Sequence, residues 1–232
     1  MRFIGNKENI INKIYLILQS KNIVGERFFD FFSGTTNVAK FYKKHNYQVF
    51  SSDLLYFSYC LQKAYIENNE KPKFLDLLDN IIVNDESLFA SPLEKVLNYL
   101  NNIERVKGFI YENYAPKGSG KRMYFSDDNA MKIDAIRTKI ESWKNDKLIT
   151  NDEYYILLSC LIETVSFYSN VAGVYAAFQK KWDPRALKPI RLREIEIINN
   201  KKDNKVYNVD SLTLCKEIEI DILYLDPPYN ER

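Results

Sequence analysis

The sequence has little sulfur, almost no histidine and few chain breakers. Its 232 residues include three cysteines, one histidine, seven glycines and seven prolines. Cys60, Cys160 and Cys215 lie far apart, no C-x-x-C pair occurs, and His45 is the sole imidazole. A zinc site built from Cys and His is therefore disfavoured, and no metal is expected. An odd, scattered set of thiols suits a reducing cytoplasm, the expected location. The N-terminal stretch MRFIGNKENI has no apolar leader. The longest apolar stretch, Tyr154 to Phe178, is interrupted by Glu163, Ser169 and Asn170, and it reads as a buried helix rather than a membrane span. A dominant charge sign is missing too. The 33 basic and 31 acidic side chains leave +2, which permits a nucleic-acid partner without requiring one. Internal repeats and low-complexity tracts are absent, as is a full G-x-G-x-x-G, which disfavours a nicotinamide cofactor.

What remains is ordinary globular composition, 46% hydrophobic and 28% charged, with room for one core plus an insertion. Apolar spacing predicts a helix over residues 8–20, with Glu8 suited to its N-terminus. Phe28 to Phe32 reads as a strand, Ser33-Gly34-Thr35-Thr36 as a turn and Asn37 to His45 as a helix. A second strand ends at Asp53, and a helix follows through Tyr65. This strand–helix–strand unit seeds a parallel sheet. Residues 67–197 break the pattern. They predict helices near 72–82, 93–105, 128–144 and 151–169, with a loop between the second and third and Asp127 or Asp128 as an N-cap. Strands return at Lys205 to Val209 and Ile220 to Leu225. The expected fold class is α/β, a Rossmann-like sheet in residues 1–66 and 198–232 around a helical insertion. A connection that long implies a role of its own.

Three stretches carry chemistry. In FFDFFSGTT a strand runs into a small-residue turn and a helix N-terminus, which suits a ligand. Asp30 ends the strand, and Gly34 lets the backbone approach closely. Asp53 follows the second strand about 20 residues after the glycine turn, where Rossmann folds place an acid on ribose hydroxyls. In LYLDPPY, Asp226 can accept from an amine, the Pro carbonyls are fixed acceptors, and Tyr229 offers a flat π face. Together these suit a planar heterocycle bearing an exocyclic NH₂.

These motifs, in this order, resemble the D12 class of N6-adenine DNA methyltransferases. RFIGNK resembles the family's N-terminal motif, with Phe3, Gly5 and Lys7 at matching positions. DFFSGTTNVA resembles its F-x-G cofactor turn, with Phe32 and Gly34. Asp53 matches the ribose acid, and Asp210 in NVDSL the acid that contacts the cofactor's adenine. DPPY, Asp226-Pro227-Pro228-Tyr229, matches the catalytic motif, with Asp226 also lining the cofactor site. YAPKGSGKRMYFSDDNAMKIDAIR and SNVAGVYAAFQKKWDPRALKP resemble one subgroup of modification methylases. In two places the chain departs from the pattern: Thr36 stands where many members carry a second glycine, and Phe3 where Trp is common.

The resemblance implies an S-adenosylmethionine-dependent, site-specific adenine-N6 methyltransferase acting on double-stranded DNA. It implies a restriction-modification setting with a cognate restriction endonuclease. Asp226 and the Pro227 carbonyl would hold the amine of a flipped adenine, and Tyr229 would stack on the base. Phe3, Gly5, Lys7, Asp30, Phe32, Gly34, Asp53 and Asp210 would hold the cofactor. The family's helical insertion helps recognise DNA. Here the expected contacts are Lys117, Lys121 and Arg122 in a Gly-containing loop, Ser169, Asn170 and Tyr175, and Lys180, Lys181 and Arg185 around Trp182. Family members continue with further strands after DPPY, so a missing C-terminal half or a second chain is expected to complete the sheet. Two alternatives stay open: an RNA base methyltransferase, and an inactive truncated fragment that only binds DNA or cofactor.

Overall fold

The computed structural model describes residues 7–80, 90–171, 178–214 and 218–227. These divide into two compact units. One spans Pro72–Ile195, and the other comprises the segments up to Lys71 and from Glu196.

The sheet unit begins with α1 (Ile11–Ser20), followed by β1 (Arg27–Asp30), α2 (Asn37–Lys44), β2 (Gln48–Ser52) and α3 (Tyr56–Gln62). Late in the chain it regains β3 (Lys205–Tyr207), α9 (Ser211–Leu214) and β4 (Ile222–Tyr224). The strands pair in the order β3-β2-β1-β4, all parallel, with Asp30 opposite Ser51 on one side and Tyr224 on the other. β1 is central and buried on both faces, as expected for a parallel strand covered by helices. Phe28 stacks on Tyr42 of α2, with ring centroids 3.6 Å apart. Phe29 points to the opposite face and clusters with Phe31, Leu214 and the half-buried Phe50. Each fully buried ring contributes about 1.5–3 kcal/mol.

The starts of β1 and β4 are tied together. Asp221 accepts the Glu26 and Arg27 amides at 2.9 and 2.8 Å and the Arg27 guanidinium at 3.0 Å. The Arg27 contacts hold the Asp221 carboxyl down at about 2. A Cβ on Gly25 would sit 2.4 Å from Asp221 Cβ, so only glycine lets the two segments approach this closely. On the far side, α3 runs on into a π-helical turn, Lys63–Glu67. Lys43, fully buried on α2, caps that turn by donating to the Tyr65 and Asn68 carbonyls at 3.1 and 2.6 Å. Burial pushes its ammonium down to about 7.

The second unit is helical: α4 (Leu75–Asn80), α5 (Pro92–Asn102), α6 (Phe109–Tyr114), α7 (Asp127–Asn145) and α8 (Asn151–Tyr168). Three N-termini follow local rules. Ser91 caps α5 with Pro92 at the first position, and Ser126 caps α7. Thr150 and Glu153 form a reciprocal capping box on α8. Ser126 thus takes the role expected of Asp127 or Asp128. Those two acids lie in the first turn, where they complement the helix dipole. α6 falls in a stretch with no local helix signal. Its start is capped from a distance, because the Asp134 carboxylate on α7 accepts the Gly108, Ile110 and Tyr111 amides. β3 stops at Tyr207, two residues before its expected end at Val209. β4 stops at Tyr224, so Leu225 and Asp226 lie beyond the strand. α1 begins at Ile11, leaving Glu8 outside its first turn.

Candidate active site

In the sheet order β3-β2-β1-β4, connections leave β1 toward β2 on one side and return to β4 on the other. The crevice beyond the carboxyl ends of β1 and β4 is therefore a topological switch point, where open α/β sheets bind ligands. Asp30, Asp53, Asp210 and Asp226 all lie at or just past strand ends there.

The turn after β1 is tightly wound. Gly34 has φ +49°, and a Cβ there would meet nothing closer than 3.9 Å, so glycine is needed for its conformation and leaves open space. Thr36 also has positive φ, 62°, at the N-cap of α2. A β-branched residue in that region costs about 1–2 kcal/mol, strain of the sort stored at functional turns. The turn closes by Thr36 N–H donating to the Ser33 carbonyl at 2.7 Å. Asp53 clamps it, with one carboxylate oxygen accepting Gly34 N–H and the other Leu55 N–H, both at 2.8 Å. Each oxygen keeps further lone pairs for ribose-type hydroxyls.

Asp30 is 1% exposed. Its Oδ2 accepts the Ser33 hydroxyl at 3.3 Å, while Oδ1 is buried without a hydrogen-bond partner. Burial pushes this carboxyl up to about 7. The Ser33 hydroxyl and Ala39 amide oppose the rise, and the charges of Asp53 and Asp226 add to it. Lys7 lies 3.0 Å from Asp226 Oδ2, both side chains being mostly covered, so the lysine is held at the expected catalytic acid. Pro227 follows as an exposed residue. Asp210 is exposed, and its carbonyl accepts the Thr213 amide and hydroxyl at the start of α9. Phe3, Gly5, Pro228 and Tyr229 lie outside the described residues.

One feature of this edge was missed in the sequence. Leu54, Leu55, Tyr56, Val209 and Leu225 join the expected Phe32 as exposed apolar side chains, all on segments that leave the strand ends. A flat, apolar heterocycle fits such a rim, and the unbroken Leu54-Leu55-Tyr56 after an acid was a readable signal for it. The orphaned Asp30 oxygen, the open turn at Gly34 and the remaining acceptors of Asp53 fit a polar, cation-bearing nucleoside.

In the helical unit, two basic segments far apart in sequence are joined by one buried side chain. Asn170 is fully buried. Its amide donates to the Met123 and Gln179 carbonyls at 2.9 Å each, and its oxygen accepts the Asp183 amide at 2.9 Å. The expectation that Asn170 hydrogen-bonds DNA is corrected, since its side-chain groups are spent inside the fold. Ser169 is buried as well and donates to the Ser166 carbonyl. The knot sets Arg122, the residue before Met123, beside the segment carrying Lys180 and Lys181, and all three are exposed. The Gly-containing loop is packed rather than open. A Cβ on Gly118 would sit 2.1 Å from the Tyr111 carbonyl oxygen, and Gly120 N–H donates to the Glu112 carbonyl at the end of α6. Lys117 is exposed, with Asp127 3.7 Å from its ammonium. Arg185 is forked onto Asp183 and lies 5.9 Å from the Phe167 ring. Trp182 is half-buried, and Tyr175 lies outside the described residues.

Among the described residues no helix is long and apolar enough to cross a membrane, and no cluster of three His, Cys, Asp or Glu side chains could hold a metal. A parallel α/β sheet with carboxylates and a proline corner at its switch point defines a Rossmann-like, methyltransferase-type domain. The chain belongs to the D12 class N6 adenine-specific DNA methyltransferase family, whose sequence profile matches residues 3–232. It is 43% identical to the type II methyltransferase M.FokI of Planomicrobium okeanokoites and 42% identical to the modification methylase StsI of Streptococcus sanguinis. These alignments cover all of this chain but 35% and 34% of those proteins. It is 37% identical to the type II methyltransferase M.NlaIII of Neisseria lactamica, covering all of this chain and 65% of that protein. The chain thus spans about a third of the first two relatives. No solved structure is significantly similar to it.

Proposed function

We propose that this chain forms the cofactor-binding and amine-holding part of a site-specific DNA adenine-N6 methyltransferase of a type II restriction-modification system. The observation that carries the reading is the delivery of Asp226-Pro227 from β4 to the switch point, beside Asp30 and Asp53. S-adenosylmethionine, when bound, supplies an electrophilic methyl on a sulfonium. Asp53 would accept its ribose hydroxyls, Asp30 would face its positive charge, and the apolar rim would cover its base, with Phe3, Gly5, Phe32, Gly34 and Asp210 completing the pocket.

Adenine's N6 lone pair is delocalised into the ring, which makes the amine a weak nucleophile. Asp226 and the Pro227 carbonyl would accept hydrogen bonds from its two N–H groups and favour a more tetrahedral nitrogen. Tyr229 stacks on the base once it leaves the duplex. Lys7 fixes the Asp226 carboxylate. The chain's contribution is then positioning, with no strong base needed. Lys117, Lys121, Arg122, Lys180 and Lys181 contact phosphates of double-stranded DNA. β4 lies at the end of the sheet order, with Leu223 and Leu225 exposed, and a further segment or second chain completing the sheet belongs to the same reading. A companion endonuclease and a cytoplasmic setting are part of it too.

The test is labelled-methyl transfer to mixed duplex DNA, with duplex RNA alongside, and calorimetry with S-adenosylmethionine. Asp226→Ala is expected to abolish transfer to DNA while cofactor binding survives. Transfer retained by Asp226→Ala refutes the assigned role. Preference for RNA, or binding without transfer, selects the RNA-methylating or binding-only alternative.

A further inference from the structure

Asp30 is a carboxylate in an unusual place. It ends the central strand at the switch point, 1% exposed, with Oδ1 buried and unpartnered. No basic side chain pairs with it among the described residues. Each packed element presents something different to it. The turn offers the Ser33 hydroxyl, and α2 offers the Ala39 amide and the Tyr42 ring, whose own hydroxyl is also buried and unpartnered. The end of β2 presents Asp53, and the end of β4 presents Asp226 with Lys7 against it. Apart from that lysine, already set on Asp226, the charges that act on Asp30 among the described residues are the negative ones of Asp53 and Asp226. A buried carboxylate without a cation holds its proton to a higher pH than a solvated one.

We propose that Asp30 is a proton-linked charge sensor: it holds a proton in the empty site and gives it up to solvent when a sulfonium-bearing nucleoside docks. The site thereby grips the cationic methyl donor more tightly than the neutral thioether left after transfer. The inference rests on the cofactor reading above. S-adenosylmethionine and S-adenosylhomocysteine share their amino-acid and nucleoside groups and differ in the methyl and its charge, so any proton uptake or release common to both cancels in the comparison. The direction of the Asp30 shift agrees with a group that is neutral near pH 6 in the empty site.

The test is titration calorimetry of the full chain with each ligand at pH about 6, in two buffers of different ionisation enthalpy, repeated upward to about pH 8. The expected result is close to one more proton released with S-adenosylmethionine than with S-adenosylhomocysteine. The donor's affinity should rise by up to about tenfold per pH unit below pH ~7, while the product's stays nearly flat. In Asp30→Asn the difference between the ligands should vanish. Equal proton release with both ligands in the wild-type chain overturns the inference, as does a difference that persists in a folded Asp30→Asn. Should that variant not fold, the wild-type proton counts and pH slopes decide. Binding of neither ligand removes the cofactor reading itself and this inference with it, an outcome distinct from binding without differential release.

Discussion

Replacing Asp30 by asparagine should stabilise the fold at alkaline pH and do nearly nothing at pH 4. The carboxyl has an ordinary value of 3.8 in the unfolded chain and is pushed up to about 7 in the fold. Below pH ~4 it is protonated in both states and the mutation is neutral in charge. Between about pH 4 and 7 the folded state holds a proton that the unfolded state has lost, so wild-type stability falls by about 1.4 kcal/mol per pH unit. Above pH ~7 both states are ionised and the loss levels off near a ceiling of about 4 kcal/mol. Asparagine copies the shape of the neutral acid without this cost. Urea titrations of both proteins at pH 5 and pH 8 give the comparison, and groups common to both cancel. The variant's advantage should be larger at pH 8 by about 3 kcal/mol, roughly two units of the window. A stability difference that does not change with pH would mean that Asp30 is solvated or cation-paired in the folded chain, and the argument from its burial would fail.

Further changes probe other contacts. Asn170→Ala leaves two carbonyls and one amide without their partner and should cost about 2–4 kcal/mol, read as a lower midpoint in urea. Gly118→Ala forces a methyl into the Tyr111 carbonyl and should loosen the loop against α6, giving faster proteolytic cleavage near residue 118 while α8 stays protected. The Lys43 ammonium titrates lower in the fold, about 7, than in the unfolded chain, 10.5. The folded state therefore binds fewer protons across that window, and stability should rise with pH within it. Lys43→Met should flatten the rise, as measured by urea titration at pH 7 and pH 9.

Much of the candidate site was proposed from local pattern. The acid before a turn, the acid after the next strand and the D-P-P-Y corner are short patterns whose meaning depends on residues a few places apart. The caps of α5 and α8, which no expectation named, are local as well, because Ser91 and Thr150 act on amides three residues away. The failures share the opposite property. α6 is capped by Asp134, more than twenty residues downstream, and no local pattern encodes that. Asn170 looks in sequence like a polar residue at the end of an apolar helix, free to meet a ligand. Only the approach of residues 123 and 179–183 turns it inward.

The sequence by itself determined the α/β class and the parallel seed of the sheet and proposed which acids form the site, since periodicity and motif order act along the chain. The tertiary structure decided the strand order and with it the switch point. It also decided the state of three acids: Asp53 clamping a turn, Asp226 beside Lys7, and Asp30 buried with no cation paired to it among the described residues. The physical reason is that desolvation and pairing are properties of what surrounds a side chain in space, and those neighbours come from segments as distant as residues 7, 53 and 226.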